Sequence, residues 1–211
     1  TSGNALSIAE ISSWKTGEKI NFTEIVKTFE SDYSFSGVVN KGLLFITNND
    51  APNKKIIWMD PASLEKKKWK TIVSEKESVL ESVNIASGKL VLKYLEKVSS
   101  KLYVYSTEGK LEKEIKLPVI GMVNGINSRK DEKVIYYSLV SYTFPSRIYK
   151  YNLENDSTSV YFKPEIDFDS DNFETKQVFY KSKDGTEIPM FITHKKGLKI
   201  DGNNPLFLFG Y

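Results

Sequence analysis

The 211-residue chain contains no cysteine and a single histidine, His194. The first absence excludes disulfides, thiolate metal sites and a cysteine nucleophile within these residues. The second excludes a multi-imidazole metal site, since such a site draws on several histidines at once. No run approaches the roughly 18 apolar residues of a membrane span, and no membrane role is expected. There is also no GxSxG elbow, no GxGxxG loop and no Walker phosphate loop. No cofactor and no metal are therefore expected.

Charge is equally uninformative about partners. The net charge of +3 comes from 30 basic and 27 acidic residues, and the dense spots are confined to Lys54-Lys55, Lys66 to Lys68 and Lys195-Lys196. Nucleic-acid binding needs a contiguous basic stripe with interleaved stacking aromatics, which is missing, so these lysines read as solvated surface. Thr1-Ser2-Gly3 begins no signal peptide and no methionine start. The expectation is a soluble chain cut from a longer one, with cytoplasm and periplasm both left open.

What the chain does have is repetition. From Asp32 onward three units follow one grammar of four short β-prone runs. The first runs through Tyr33 to Val39, Gly42 to Thr47, Lys55 to Met59 and Trp69 to Val73. The second takes Val79 to Ile85, Gly88 to Tyr94, Ser100 to Tyr105 and Leu111 to Ile115. The third has Gly121 to Ile126, Lys133 to Leu139, Arg147 to Leu153 and Ser159 to Phe162. The third runs centre on Ile57, Tyr103 and Tyr149, which are 46 residues apart both times, 103 less 57 and 149 less 103. Four strands in about 40 to 50 residues is the period of propeller blades, and Asp60-Pro61, Thr107 to Gly109 and Asn152 to Asn155 supply the turn before each outermost run. Ala5 to Ile11 and Lys19 to Phe29 fit the last two strands of a preceding blade. The fold expected is mostly β, about three and a half four-stranded blades of a propeller. An antiparallel sandwich gives short strands too, without a reason for four-strand units to recur at constant period.

The carboxylates of Glu165 to Asp171 fall where the repeats end. They lack the glycine and terminal glutamate of a calcium loop and read as a linker. Beyond it the character changes. Asp184-Gly185 lies between Gln177 to Tyr180 and Ile188 to Thr193, a strong hairpin signal, and His194 is expected in the basic turn that follows. Asp201 to Pro205 then leads into Leu206-Phe207-Leu208-Phe209, a continuous apolar run expected as a strand buried on both faces, in contrast to half-wet alternating strands upstream.

At these residues the chain resembles a known family. Lys181 to Ile192, His194 to Gly197 and Asn204 to Tyr211 closely resemble the prolyl oligopeptidase family of serine peptidases, where its propeller passes into an α/β-hydrolase domain. Asp32-Tyr33, Asn53 to Met59, Trp69-Lys70 and Val79 to Glu81 are similar to that family's late blades. The resemblance implies residues 1–165 as the C-terminal half of a seven-bladed propeller. Residues 166–211 are then the linker and first strands of the hydrolase domain.

It implies as partners short proline-containing peptides, cleaved after proline, and the remainder of the catalytic domain. Tyr211 matches the family's oxyanion-hole tyrosine, and the Ser, Asp and His of the triad are expected beyond it. The propeller is expected to act as a steric filter, lined by Tyr33 to Val39, Val79 to Ile85 and Gly121 to Ile126. Two alternatives stay open: a standalone propeller-type binding module pairing through its blade edges, or a related oligopeptidase of the same clan with another specificity.

Overall fold

A computed structural model describes residues 3–12 and 14–210. All of its sheets are antiparallel, and three of them are four-stranded meanders. The first blade is β3 (Tyr33–Val39), β4 (Gly42–Thr47), β5 (Lys55–Met59) and β6 (Lys70–Val73) in spatial order, preceded by the pair β1 (Leu6–Ile8) and β2 (Thr23–Val26). The second is β7 (Val79–Ala86), β8 (Lys89–Glu96), β9 (Ser99–Ser106) and β10 (Leu111–Ile115). The third is β11 (Met122–Ser128), β12 (Val134–Val140), β13 (Arg147–Asn152) and β14 (Thr158–Phe162), and a final hairpin joins β15 (Phe173–Lys181) to β16 (Glu187–Lys195). The expected repeat of four strands per unit is therefore present, with β1 and β2 the outer half of one more blade. That half is shorter than the runs Ala5 to Ile11 and Lys19 to Phe29 suggested: only three and four residues pair.

Turn chemistry sets the hairpins. The β3–β4, β7–β8 and β8–β9 connections are two residues each, Asn40-Lys41, Ser87-Gly88 and Lys97-Val98, and all six residues have positive φ. Positive φ at both central positions is the turn whose twist matches paired strands.

Packing occurs between blades. One apolar cluster joins the β1–β2 pair to blade one through Val26, Tyr33, Phe45, Ile57 and Met59. A second lies between blades one and two, where Leu44, Ile46, Ile56 and Val73 meet Leu80, Leu90, Leu92 and Tyr94. A third lies between blades two and three, with Val91, Leu102 and Val104 against Val123, Ile135, Tyr137 and Tyr149. Consecutive residues of β4 and β8 thus serve opposite seams, as the period of two demands.

This corrects the expectation of half-wet alternating strands for β4 and β8, whereas β12 alternates as expected. Leu44 to Thr47 and Leu90 to Leu92 are all buried, because blades one and two are each covered on both faces by their neighbours.

The second correction concerns Leu206 to Phe209. No described residue after Lys195 belongs to a strand, and the four side chains are 75–87% exposed. An apolar run becomes a doubly buried strand only with flanking strands and covering helices. The described residues contain no α-helix, and none of their five sheets includes this run.

Gly109 shows how closely blades approach. Its φ is +88°, and a Cβ there would stand 1.8 Å from the carbonyl oxygen of Ile72 on the neighbouring blade. At Gly88, φ +68°, a Cβ would meet nothing within 4 Å. Gly109→Ala should therefore cost at least about 2 kcal/mol, from backbone strain plus the seam clash, and Gly88→Ala only about 1 kcal/mol, from strain alone. Urea denaturation of the two variants measures the difference, and equal losses would disprove the seam contact.

Candidate functional site

Two regions carry the geometry a function can use. The first is the inner edge of the blades. β7 and β11 each bulge at an equivalent place, leaving Glu81 unpaired opposite Tyr94 and Lys93, and Asn124 unpaired opposite Leu139 and Ser138. β3 bulges at Ser36 instead, nearer its turn. A bulge bends its strand and re-aims the extra side chain.

At Glu81 the consequence is a tie across the seam. Lys93 Nζ lies 3.1 Å from Glu81 Oε2 and donates at 2.9 Å to the carbonyl of Val123, beside the bulge of the next blade. Asn84 donates to the Ile126 carbonyl at 3.0 Å, and the Ser128 hydroxyl returns a bond to the Ile85 carbonyl at 3.1 Å. β7 and β11 are thus sewn to one another where their backbones would otherwise be free edges. Asn124 and Asn127 of β11 and Ser34, Phe35 and Val38 of β3 are the exposed side chains on these strands.

The second region is the face carrying the β8–β9 and β12–β13 turns, where the β15–β16 hairpin rests. Gln177 donates to the Lys97 carbonyl, the Lys97 ammonium lies 5.2 Å from the Phe179 ring, and the rings of Tyr142 and Phe191 are 5.1 Å apart. Val98, in the same turn, has φ +60°. A β-branched residue is strained there, and no glycine or asparagine signals the turn in the sequence.

Arg147 anchors the segment that leads to the hairpin. Its Nη2 donates to the Ser170 hydroxyl at 2.7 Å, and its guanidinium stacks 4.1 Å from the Phe144 ring. Its Nε is buried without a hydrogen-bond partner, and the aromatic face is what remains to stabilise that side of the cation. Ser170 is buried, whereas Glu165 to Asp169 are all exposed. The Asp169 carboxylate accepts from the Asp171 N–H at 3.1 Å and from Asn172 at 2.8 Å, so this acidic cluster closes on its own backbone. Among the described residues no group of three His, Asp or Glu side chains is placed to hold a metal ion, and no helix is long and apolar enough to cross a membrane.

His194 departs from expectation. It belongs to β16 opposite Glu174, not to a turn. The strand continues through Lys195, and the turn begins only at Lys196. Its side chain is 11% exposed, with Nε2 3.7 Å from Glu174 Oε1 and Nδ1 2.8 Å from the Lys195 carbonyl. Both ring nitrogens thus have local neighbours, and neither the strand nor the pairing brings a nucleophile to it. Asp184 is held well below the usual carboxylate range, at about 2, first by the Ser182 hydroxyl and then by the Thr186 N–H, which shapes the hairpin tip. Tyr211 lies outside the described residues. The hairpin with positive φ at Gly185 forms as the Asp184-Gly185 pair indicated. The Arg147–Ser170 contact had no local signal, because 23 residues separate its partners.

Comparison with known proteins agrees with this architecture. Residues 3–164 match the family described as prolyl oligopeptidase, N-terminal beta-propeller domain. A prolyl endopeptidase of Elizabethkingia meningoseptica is 36% identical over the whole chain, which spans 29% of that protein. One from Dictyostelium discoideum is 34% identical over 89% of the chain and 26% of its own length. Among solved structures, apo prolyl oligopeptidase B from Galerina marginata superposes with a TM-score of 0.85 at 29% identity, covering 96% of this chain and 29% of that one. The chain thus spans under a third of the relatives it matches.

Two outcomes follow from the face on which the β15–β16 hairpin rests. Arg147→Ala should free the segment before Ser170 and speed cleavage after Glu165 by a glutamate-specific protease several-fold, and an unchanged cleavage rate would refute the anchoring role. Val98→Gly should raise unfolding stability by about 1 kcal/mol by relieving the left-handed strain, as read from the denaturation midpoint.

Proposed function

The chain belongs to the prolyl oligopeptidase family, and on that premise we propose that it is the late-propeller part of a serine peptidase that cleaves short peptides after proline. The observation that carries this reading is the match of the whole chain, blades and hairpin together, to a prolyl endopeptidase. The packing of the β15–β16 hairpin onto the β8–β9 and β12–β13 turns supports it. Residues 1–165 are then blades and residues 166–211 the start of an α/β-hydrolase domain lying over that face.

The division of labour follows from physical chemistry. A ring of blades sewn at its inner edges is stiff, so the space along its axis has a fixed width and admits extended short peptides while barring folded chains. Asn124 and Asn127 give the inner strands polar side chains that exchange hydrogen bonds with a passing peptide without holding it. Peptide as the substrate class is also in keeping with relatives: prolyl oligopeptidase B from Galerina marginata has been solved bound to 25mer and 35mer substrates.

Chemistry belongs to the hydrolase domain. In this reading Tyr211 donates its hydroxyl to the carbonyl oxygen as it becomes an oxyanion in the tetrahedral intermediate. The donor costs no reorganisation during the reaction and acts where water is excluded. The serine, its histidine base and the orienting aspartate lie outside these 211 residues.

Hydrolysis of a chromogenic Gly-Pro substrate tests this. The 211 residues alone should release no product, and the longer protein should. Tyr211→Phe in the longer protein should lower kcat about 10²- to 10³-fold, the usual cost of one oxyanion donor. Unchanged turnover would remove the role given to Tyr211, and a longer protein inactive on every prolyl substrate would remove the peptidase reading.

A further inference from the structure

The seam between blades one and two holds a feature that neither the filter nor the catalytic reading uses. Lys76 lies in the five-residue crossover from β6 to β7, and its ammonium is 5.1 Å from the ring centroids of Tyr94, Tyr103 and Tyr105 alike. It also donates to the Tyr105 hydroxyl. All three distances fall within the roughly 6 Å at which a ring quadrupole attracts a cation.

The rings are positioned by strand pairing. Tyr105 faces Leu90 and Tyr103 faces Leu92 across β8 and β9, so Leu90, Leu92, Tyr94, Tyr103 and Tyr105 share the sheet face turned toward blade one. Tyr94 and Tyr105 are buried, and the rings of Tyr94 and Tyr103 meet edge to face with centroids 5.7 Å apart. The cage is therefore a fixed part of blade two, while Lys76 is an exposed residue of a surface crossover whose charged end turns in. Asn53, from the β4–β5 loop of blade one, grips the same crossover. Its N–H donates to Glu75 at 2.5 Å, and its side-chain amide donates to the carbonyls of Lys76 and Glu77, both at 3.1 Å.

We propose that Tyr94, Tyr103 and Tyr105 form an alkylammonium-binding cage, filled in this chain by its own Lys76, that latches the seam between the first two blades. The tether supplies the ligand at high effective concentration, so the cage is occupied without a soluble partner. Removing the lysine leaves three preorganised rings and a hydroxyl acceptor, a site for a small primary ammonium ion such as methylammonium. Burial pushes the Tyr103 phenol up to about 12 and raises that of Tyr94 as well, which keeps both neutral at working pH. Their contribution is thus through the ring faces and not through phenolate charge.

The test has two parts. On the unaltered chain, acylation of lysines followed by mass spectrometry should modify Lys76 several-fold more slowly than the exposed Lys41 and Lys130, and an equal rate overturns the cage. In the second part, Lys76→Ala and Lys76→Met should both unfold at a lower temperature than the parent. Methylammonium chloride should raise the midpoint of Lys76→Ala by more than it raises the parent's, with sodium chloride and ethanol as ionic and neutral controls. A Lys76→Met midpoint equal to the parent's shows that the stem and not the charge matters. A methylammonium response shared by both proteins shows that no cage opened. Either result refutes the latch, and neither depends on the peptidase reading.

Discussion

Everything in this chain depends on one constraint: a four-stranded sheet with apolar residues on both faces has to be covered twice. Leu44 and Phe45 are adjacent in sequence and both buried, one serving the seam with blade two and the other the seam with the preceding half blade. No blade has a core of its own; the cores belong to the seams. Stability is therefore shared between neighbours, as in other repeat architectures.

The same constraint accounts for what is exposed. Phe35 and Val38 on β3, and Val160, Tyr161 and Phe162 on β14, are uncovered apolar side chains at the two ends of the arc, where no further four-stranded sheet stands among the described residues. An open hollow of about 520 Å³ lined by Arg129, Glu132, Tyr136 and Tyr161 lies at the same end.

Apolar seams leave orientation loosely specified, and polar ties supply it. Lys93 bridges Glu81 to the Val123 carbonyl, Lys113 reaches Asp156 and the Leu153 carbonyl on the outer side, and Lys76 enters the tyrosine cage. Each tie joins one blade to the next or to the crossover between them, and each fits one register of blade on blade. Inner-edge bulges serve the same end, bringing Glu81 within reach of Lys93.

Much of this was legible from residues alone, and the parts that were not share a cause. Strand order, blade count, the 46-residue period and the Asp184-Gly185 hairpin all arise from contacts between near neighbours, so side-chain alternation and turn residues report them. His194 was misplaced by one element boundary. The connection between Tyr94 and Ser100 is shorter than the sequence runs suggested, two residues at Lys97-Val98, because it uses residues that ordinarily avoid positive φ. Leu206 to Phe209 read as a buried strand because apolar character marks a preference for burial and cannot say whether covering elements are there.

The sequence by itself determined a mostly β chain of recurring four-strand units and its membership of a peptidase family. Only the tertiary structure decided which residues meet across seams, that Arg147 holds Ser170, and that three tyrosines close round Lys76. The physical reason is range. Strand pairing and turn geometry are decided within a few residues, whereas a seam contact joins side chains tens of residues apart, whose meeting depends on how one finished sheet lies upon the next. The hairpin from Phe173 to Lys195, visible from the sequence as two strands and a turn, acquired its meaning the same way, by the face of the blades on which it came to rest.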